Sequence, residues 1–223
     1  MDEHIKVRVW DIPTRLFHWS LAVLVSVSIY TGLDGGFEEM DYHMLSGYGI
    51  LALVTFRIAW GFVGGHYARF FTFLRPAQIV PYTRSLFKRE QAPSAGHNPL
   101  GGLSVVAMLL VLLTQAVTGL FANDDLFLEG PLVHRATDEF SDTMTTIHHY
   151  SSDVLYVLIG LHLLAIVFYE LFKRQRLILS MLTGRKQLQA PELNELGLVR
   201  ELLSSLVLIS VLAGGVYYLV NFV

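Results

Sequence analysis

Residues 147–172 constrain this chain more than any other stretch, because they read as one membrane-spanning helix with histidines near both ends of its apolar length. His148 and His162 are fourteen residues apart. At about 100° per residue, that separation falls roughly 40° short of four turns, so both imidazoles leave the same face. A rise of about 1.5 Å per residue puts them roughly 21 Å apart in depth, most of a hydrocarbon thickness of about 30 Å. Two imidazoles stacked in this way suit two prosthetic groups, one near each membrane surface. His149 is turned by about 100° from His148 and points elsewhere.

Four further apolar runs cover residues 16–32, 45–63, 100–121 and 202–223. With 53% hydrophobic and 16% charged residues, the chain is richer in apolar and poorer in charged side chains than soluble domains are. The expected fold is all-α and transmembrane: a four-helix bundle over residues 7–175 and a fifth, C-terminal helix over 201–223, in one integral membrane domain. Helices and short loops use up the 223 residues and leave no room for a separate soluble domain. The polar start and the lack of a small-residue cleavage site after the first run argue against a cleavable signal peptide. Cysteine is absent. A disulfide, a thiolate-held iron–sulfur cluster and a covalently attached c-type haem are therefore excluded, and any redox cofactor is held by histidine or by shape.

The net charge of −3 matters less than its distribution. Lys6, Arg8 and Arg15 precede the first run, Arg69, Arg75, Arg84, Lys88 and Arg89 follow the second, and Lys173, Arg174, Arg176, Arg185, Lys186 and Arg200 follow the fourth. The opposite loops carry Asp34, Glu38, Glu39, Asp41, Asp124, Asp125, Glu129, Asp138, Glu139 and Asp142, with Arg135 as their cation. The positive-inside rule then predicts a cytoplasmic N-terminus and, after five spans, a C-terminus on the outer side. The inner loop over residues 64–98 is punctuated by prolines and glycines, with a short surface helix expected over 78–88. Trp10, Trp19 and Trp60 fall near the cytoplasmic ends of their spans, as interfacial aromatics do. No internal repeat is evident.

Orientation assigns every histidine a depth. His18 and His162 fall near the inner surface, His43 and His148 near the outer one, and each pair comes from two different helices. That is what axial ligation of a flat macrocycle between helices requires. A lone histidine in a span is often a hydrogen-bonded packing residue, but four at matched depths are harder to read that way. Arg57 follows His43 by fourteen residues, on the same face at the inner level. It suits a haem propionate, and the alternative is that it snorkels to the headgroups. Arg15, one turn before His18, could serve the same macrocycle. Gly47, Gly49, Gly119 and Gly160 allow close approach of helices or of a macrocycle, or are ordinary packing glycines. Phe17, Trp19, Tyr150 and Tyr156 are candidates to line the haem faces. His4, His66, His97, His134 and His149 read as surface or loop histidines.

Several motifs run through all four core spans in order. They are Pro13-Thr14-Arg15-Leu16-Phe17-His18-Trp19, His43 at the opening of the second span, Arg57-Ile58-Ala59-Trp60-Gly61-Phe62-Val63-Gly64, Gly96-His97-Asn98-Pro99, and His148 with Gly160-Leu161-His162. At these residues the chain resembles the membrane cytochrome b subunits of nickel–iron hydrogenases and the bacterial cytochrome b561 group. The resemblance implies two b-type haems in the bacterial inner membrane, ligated by His18, His43, His148 and His162. It also implies Arg57 near a propionate and electron exchange with the quinone pool. The fifth span lies outside that core. The outer loop over residues 33–42 is shorter than hydrogenase-type members tend to have, which brings a small periplasmic c-type cytochrome in as partner beside the hydrogenase.

The resulting expectation is a diheme electron-transfer subunit of a quinone-linked oxidoreductase. The outer haem (His43/His148) would face a periplasmic c-type cytochrome or nickel–iron hydrogenase, and the inner one (His18/His162) a quinone. One rival is a quinone-coupled oxidase of a small oxidant such as superoxide, but the acidic outer loops disfavour an anionic substrate. Another is a histidine-lined metal transporter, which needs ligands converging on one site. A zinc protease lacks its His-Glu-x-x-His segment.

Overall fold

A computed structural model describes residues 5–87, 94–124, 128–188 and 197–223. In chain order the elements are β1 (Ile5–Arg8), α1 (Ile12–Asp34), α2 (Phe37–Val63), α3 (Phe70–Phe73), α4 (Pro76–Arg84), α5 (Pro99–Gly119), α6 (Asp138–Leu171), α7 (Leu177–Thr183), β2 (Arg185–Leu188) and α8 (Leu198–Phe222). The helices α1, α2, α5, α6 and α8 are long and apolar enough to cross a membrane. His4, Lys88, Arg89 and Asp125, named above, lie outside the described residues, and α4 overlaps the surface helix expected over 78–88 but starts two residues earlier and ends at Arg84.

Local chemistry sets the helix ends. Asp11 caps α1, its Oδ1 accepting from the Thr14 N–H at 2.8 Å. Gly35, at φ +70°, stops α1 in the left-handed region that glycine enters without cost. Asn98 caps α5 through the Gly101 N–H at 2.7 Å, with Pro99 in the first helical position. The outer ends of α2 and α6 differ from expectation. Glu38, Glu39 and Asp41, read above as loop, lie in the first turns of α2, and Asp138, Glu139 and Asp142 lie in those of α6. Carboxylates are favoured at a helix N-terminus, where the backbone dipole is positive, so these acidic stretches extend the helices. Only Gly35 and Gly36 therefore separate α1 from α2.

A small antiparallel sheet was not anticipated: β1 pairs with β2, Ile5 opposite Leu188 and Arg8 opposite Arg185. Its signal is the alternation of Val7 and Val9 with Lys6 and Arg8, since both valines are buried while Lys6 is exposed.

The residues group into two compact units, one of 1–16, 59–107 and 158–205, the other of 17–58, 108–157 and 206–223. Among the described residues, all Lys and Arg but Arg57 and Arg135 fall in the segments of the first unit. That unit packs Val7, Val9 and Trp10 against Tyr67, Ala95 and Met181. Lys186 lies 6.0 Å from the Trp10 ring centre and donates to the Ser94 carbonyl at 3.1 Å. Burial lowers the pKa of its ammonium to about 8. Trp60, expected at an interface, is fully buried instead, its Nε1–H donating to Asp11 Oδ2 at 3.0 Å, and Trp10 is buried as well. Trp19 alone of the three is exposed. The second unit holds a cluster of Leu51, Leu120 and Leu132, against which Val216, Leu219 and Val220 of α8 pack.

Glu201, on α8, is a carboxylate only 1% exposed. Arg8 Nη2 contacts both its oxygens, at 2.6 and 2.9 Å, and the Ile12 N–H donates to Oε1 at 3.1 Å. Ile12 is the first residue of α1, so a side chain of the last helix satisfies one of the unpaired amides that open the first. Glu201→Ala is expected to cost roughly 2–3 kcal/mol, somewhat below a fully buried pair, because Arg8 is 23% exposed and can turn to water. A lower midpoint of thermal unfolding in detergent checks this.

Candidate functional site

Two five-residue segments carry one pattern: Ser28-Ile29-Tyr30-Thr31-Gly32 in α1 and Gln115-Ala116-Val117-Thr118-Gly119 closing α5. Each seats one histidine. His43 Nδ1 lies 2.8 Å from the Ser28 carbonyl oxygen, and His148 Nδ1 lies 3.0 Å from that of Gln115. In both seats the threonine hydroxyl donates to its own helix: Thr31 to Val27 O and Thr118 to Thr114 O, each at 2.8 Å. Thr118 Oγ1 also lies 3.2 Å from His148 Nδ1, and Ser28 Oγ lies 3.4 Å from His43 Nδ1.

The glycine four residues on is a steric requirement. A Cβ at Gly32 would sit 2.9 Å from His43 Cε1 and Nδ1, and one at Gly119 would sit 3.0 Å from His148 Cε1. A side chain at either position would push the ring off its carbonyl. The repeat was missed because one short pattern with a variable first residue falls below what a search for self-similarity detects. Gly32, Ser28, Gln115 and both threonines were likewise not singled out, although a polar residue one turn before a glycine within a span was the available signal. Of the glycines that were, Gly49 packs on Leu24, while Gly47 and Gly160 face open space.

The two seated rings face each other, with centroids 6.1 Å apart and planes inclined by 78°. Imidazole nitrogens bind transition metals at about 2 Å, so two rings sharing one ion have centres roughly 6 Å apart. With each Nδ1–H donated to a carbonyl, Nε2 is the nitrogen left to ligate. The residues present therefore fit a bis-imidazole iron site. The Gln115 side-chain nitrogen lies 3.0 Å from His148 Nε2, and its Oε1 accepts from the Ser151 hydroxyl. Ligation by His148 requires that amide to swing aside.

His18, half-buried, meets Trp19 edge-on with ring centres 5.0 Å apart. His162 is half-buried on α6 within the first unit. Arg57 is 2% exposed, so it does not snorkel to the headgroups. Arg15 donates through Nε to the Met181 carbonyl at 3.2 Å and through Nη2 to that of Leu182, which ties it to the end of α7. Phe17 is buried, whereas Tyr150 and Tyr156 are exposed. His149 is exposed, as its turn from His148 requires. His97, read as a loop histidine, stands between Trp10 and Phe73 with ring centres at 4.7 and 4.6 Å. It borders a cavity of about 240 Å³ shared with His66, Tyr67 and Arg75. Among the described residues no three of His, Asp and Glu gather as a metal site.

The family described as prokaryotic cytochrome b561 matches residues 9–184. The chain is 29% identical to a probable Ni/Fe-hydrogenase B-type cytochrome subunit of Azotobacter vinelandii, over 80% of this chain and 87% of that one. Proteins of the same description from Azotobacter chroococcum mcd 1 and Rhodobacter capsulatus are 28% and 24% identical. They cover 80% and 81% of this chain, and 87% and 81% of their own lengths. No solved structure matches. Gly119→Val is expected to displace the His148 ring and lower the haem content of the purified protein, read from the pyridine haemochrome spectrum. Gly214→Ala on α8, where a Cβ meets nothing within 4 Å, is expected to leave it unchanged.

Proposed function

This chain belongs to the prokaryotic cytochrome b561 family, and we propose that it is a diheme member carrying electrons between a periplasmic redox partner and the membrane quinone pool. A membrane electron-transfer cytochrome of the b type is the common ground of the family and of the relatives' names. The observation that carries the diheme reading is the outer pair: His43 on α2 and His148 on α6, 6.1 Å apart between ring centres and each held through Nδ1 on a helix carbonyl. Haem b, when bound, supplies a one-electron carrier.

The chain's own residues do the holding. His43 and His148 ligate the outer haem, and His18 and His162 the inner one. Arg57, buried and always charged, offers a planar fork suited to a propionate carboxylate. Arg15 is a second candidate, with two of its donors already engaged at the end of α7. The distribution of Lys and Arg supports a cytoplasmic N-terminus and a periplasmic C-terminus. The acidic residues opening α2 and α6 then face the periplasm. They suit a cationic c-type cytochrome, while the relatives' names favour a nickel–iron hydrogenase as partner.

The purified chain is expected to show a reducible b-type α-band and about two haems per polypeptide. His148→Ala should remove one haem while His149→Ala keeps both. Equal loss in the two variants would contradict the assignment of the ligand face. In membranes from the native host, the chain is expected to co-purify with a periplasmic hydrogenase or c-type cytochrome. A bound cytoplasmic dehydrogenase in its place would reverse the assigned direction.

A further inference from the structure

The helix α6 carries a feature that haem ligation does not use. Asp153 lies six residues inside the apolar run that begins at Ile147, about 9 Å below its outer end. It is five residues beyond His148, hence turned by about 140° from the ligand, away from the haem site. Its side chain is exposed, and its carboxylate makes no hydrogen bond or ion pair among the described residues. One turn before it, His149 is exposed too, and Ser152 and Tyr156 continue the same side of the helix. α8 does not cover this face, since Asp153 and His149 are exposed with α8 in place.

An ionisable side chain facing hydrocarbon is costly, and those retained in membrane helices turn toward a polar partner. The partner here has to bring a donor or cation for Asp153 and an acceptor or anion for His149. One surface known to carry both at the right spacing is this same face. A two-fold contact is self-complementary, with residue i meeting residue j and j meeting i. Parallel helices routinely pair side chains about one turn apart across their seam. We propose that the outer half of α6 is a homodimer interface, in which His149 of each copy pairs with Asp153 of the other. The short side chain of Ser152 lets the two helices approach closely. This inference does not depend on the number of haems or on the redox partner.

Native mass spectrometry of the full haem-loaded chain, released from detergent micelles, tests it. The wild type is expected to be dimeric, and Asp153→Leu and His149→Leu each to weaken the dimer about tenfold. The exchanged variant, His149→Asp with Asp153→His, should restore it, because a two-fold contact keeps its complementarity when both partners are swapped. The α-band should be unchanged throughout, and if either leucine variant loses it, Asp153→Asn and His149→Gln carry the same test. A monomeric wild type would overturn the proposal and point instead to a basic helix of another protein. A dimer indifferent to the single substitutions, or one the exchange fails to restore, would overturn it equally.

Discussion

The arrangement rests on one contact made twice: an imidazole Nδ1 against the carbonyl oxygen of a residue one turn before a glycine, Ser28 before Gly32 and Gln115 before Gly119. In hydrocarbon there is no water to satisfy a ring N–H, so the partner has to come from protein. A helix carbonyl already accepts from the amide four residues on, yet it keeps a second lone pair. To reach that lone pair, a ring must enter the space where the side chain of the fourth residue would stand. Glycine vacates it. The threonine between turns its hydroxyl back on its own helix and so leaves no unsatisfied donor beside the ring. The same contact fixes the tautomer, which leaves Nε2 as the nitrogen free to ligate.

Depth matching follows from the turn between α1 and α2. Ser28 is seven residues before Gly35, and His43 is seven after Gly36. In an antiparallel pair joined by so short a turn, residues equidistant from it lie side by side, so the connection itself places the histidine on its seat. Reading the acidic stretch 38–41 as loop hides this relation, because a longer connection leaves the register of the two helices open. Here charge patterning distinguishes the two ends of a span but not the length of the helix. A run of acidic residues beside an apolar run is equally a loop and a first helical turn until the helix dipole is weighed.

What could be read from residues alone was whatever repeats at the helical period. The spans follow from the length of the apolar runs, and the shared face of His148 and His162 from angle and rise. Depth alone puts His43 and His148 at one level, and their ring centres lie 6.1 Å apart. What could not be read was whatever depends on one atom meeting another between helices: Gln115 beneath His148, Asp11 on Trp60, and Glu201 on both Arg8 and Ile12. Trp60 illustrates the difference. An indole near a helix end is an interfacial anchor by composition, and becomes a buried one only once Asp11 is known to receive its N–H.

The fifth helix belongs to this logic although it carries no candidate ligand. α1 holds both His18 and the seat of His43, so any slip of α1 along its axis shifts two functional positions at once. Its own start is capped locally by Asp11, which also receives the Trp60 N–H of α2, and from afar by Glu201, and both of these longer-range contacts resist sliding against a neighbouring element. A carboxylate that is 1% exposed and anchored by Arg8 is a stiff stop, because moving it would strand a buried charge. α8 thus acts on the site through position. It holds the first turn of α1 with one acidic side chain, and packs Val216, Leu219 and Val220 on the cluster that includes Leu51 of α2, the helix of His43, and Leu120 just beyond the seat in α5. A helix outside the four-helix core can in this way restrain the geometry of that core without touching an imidazole.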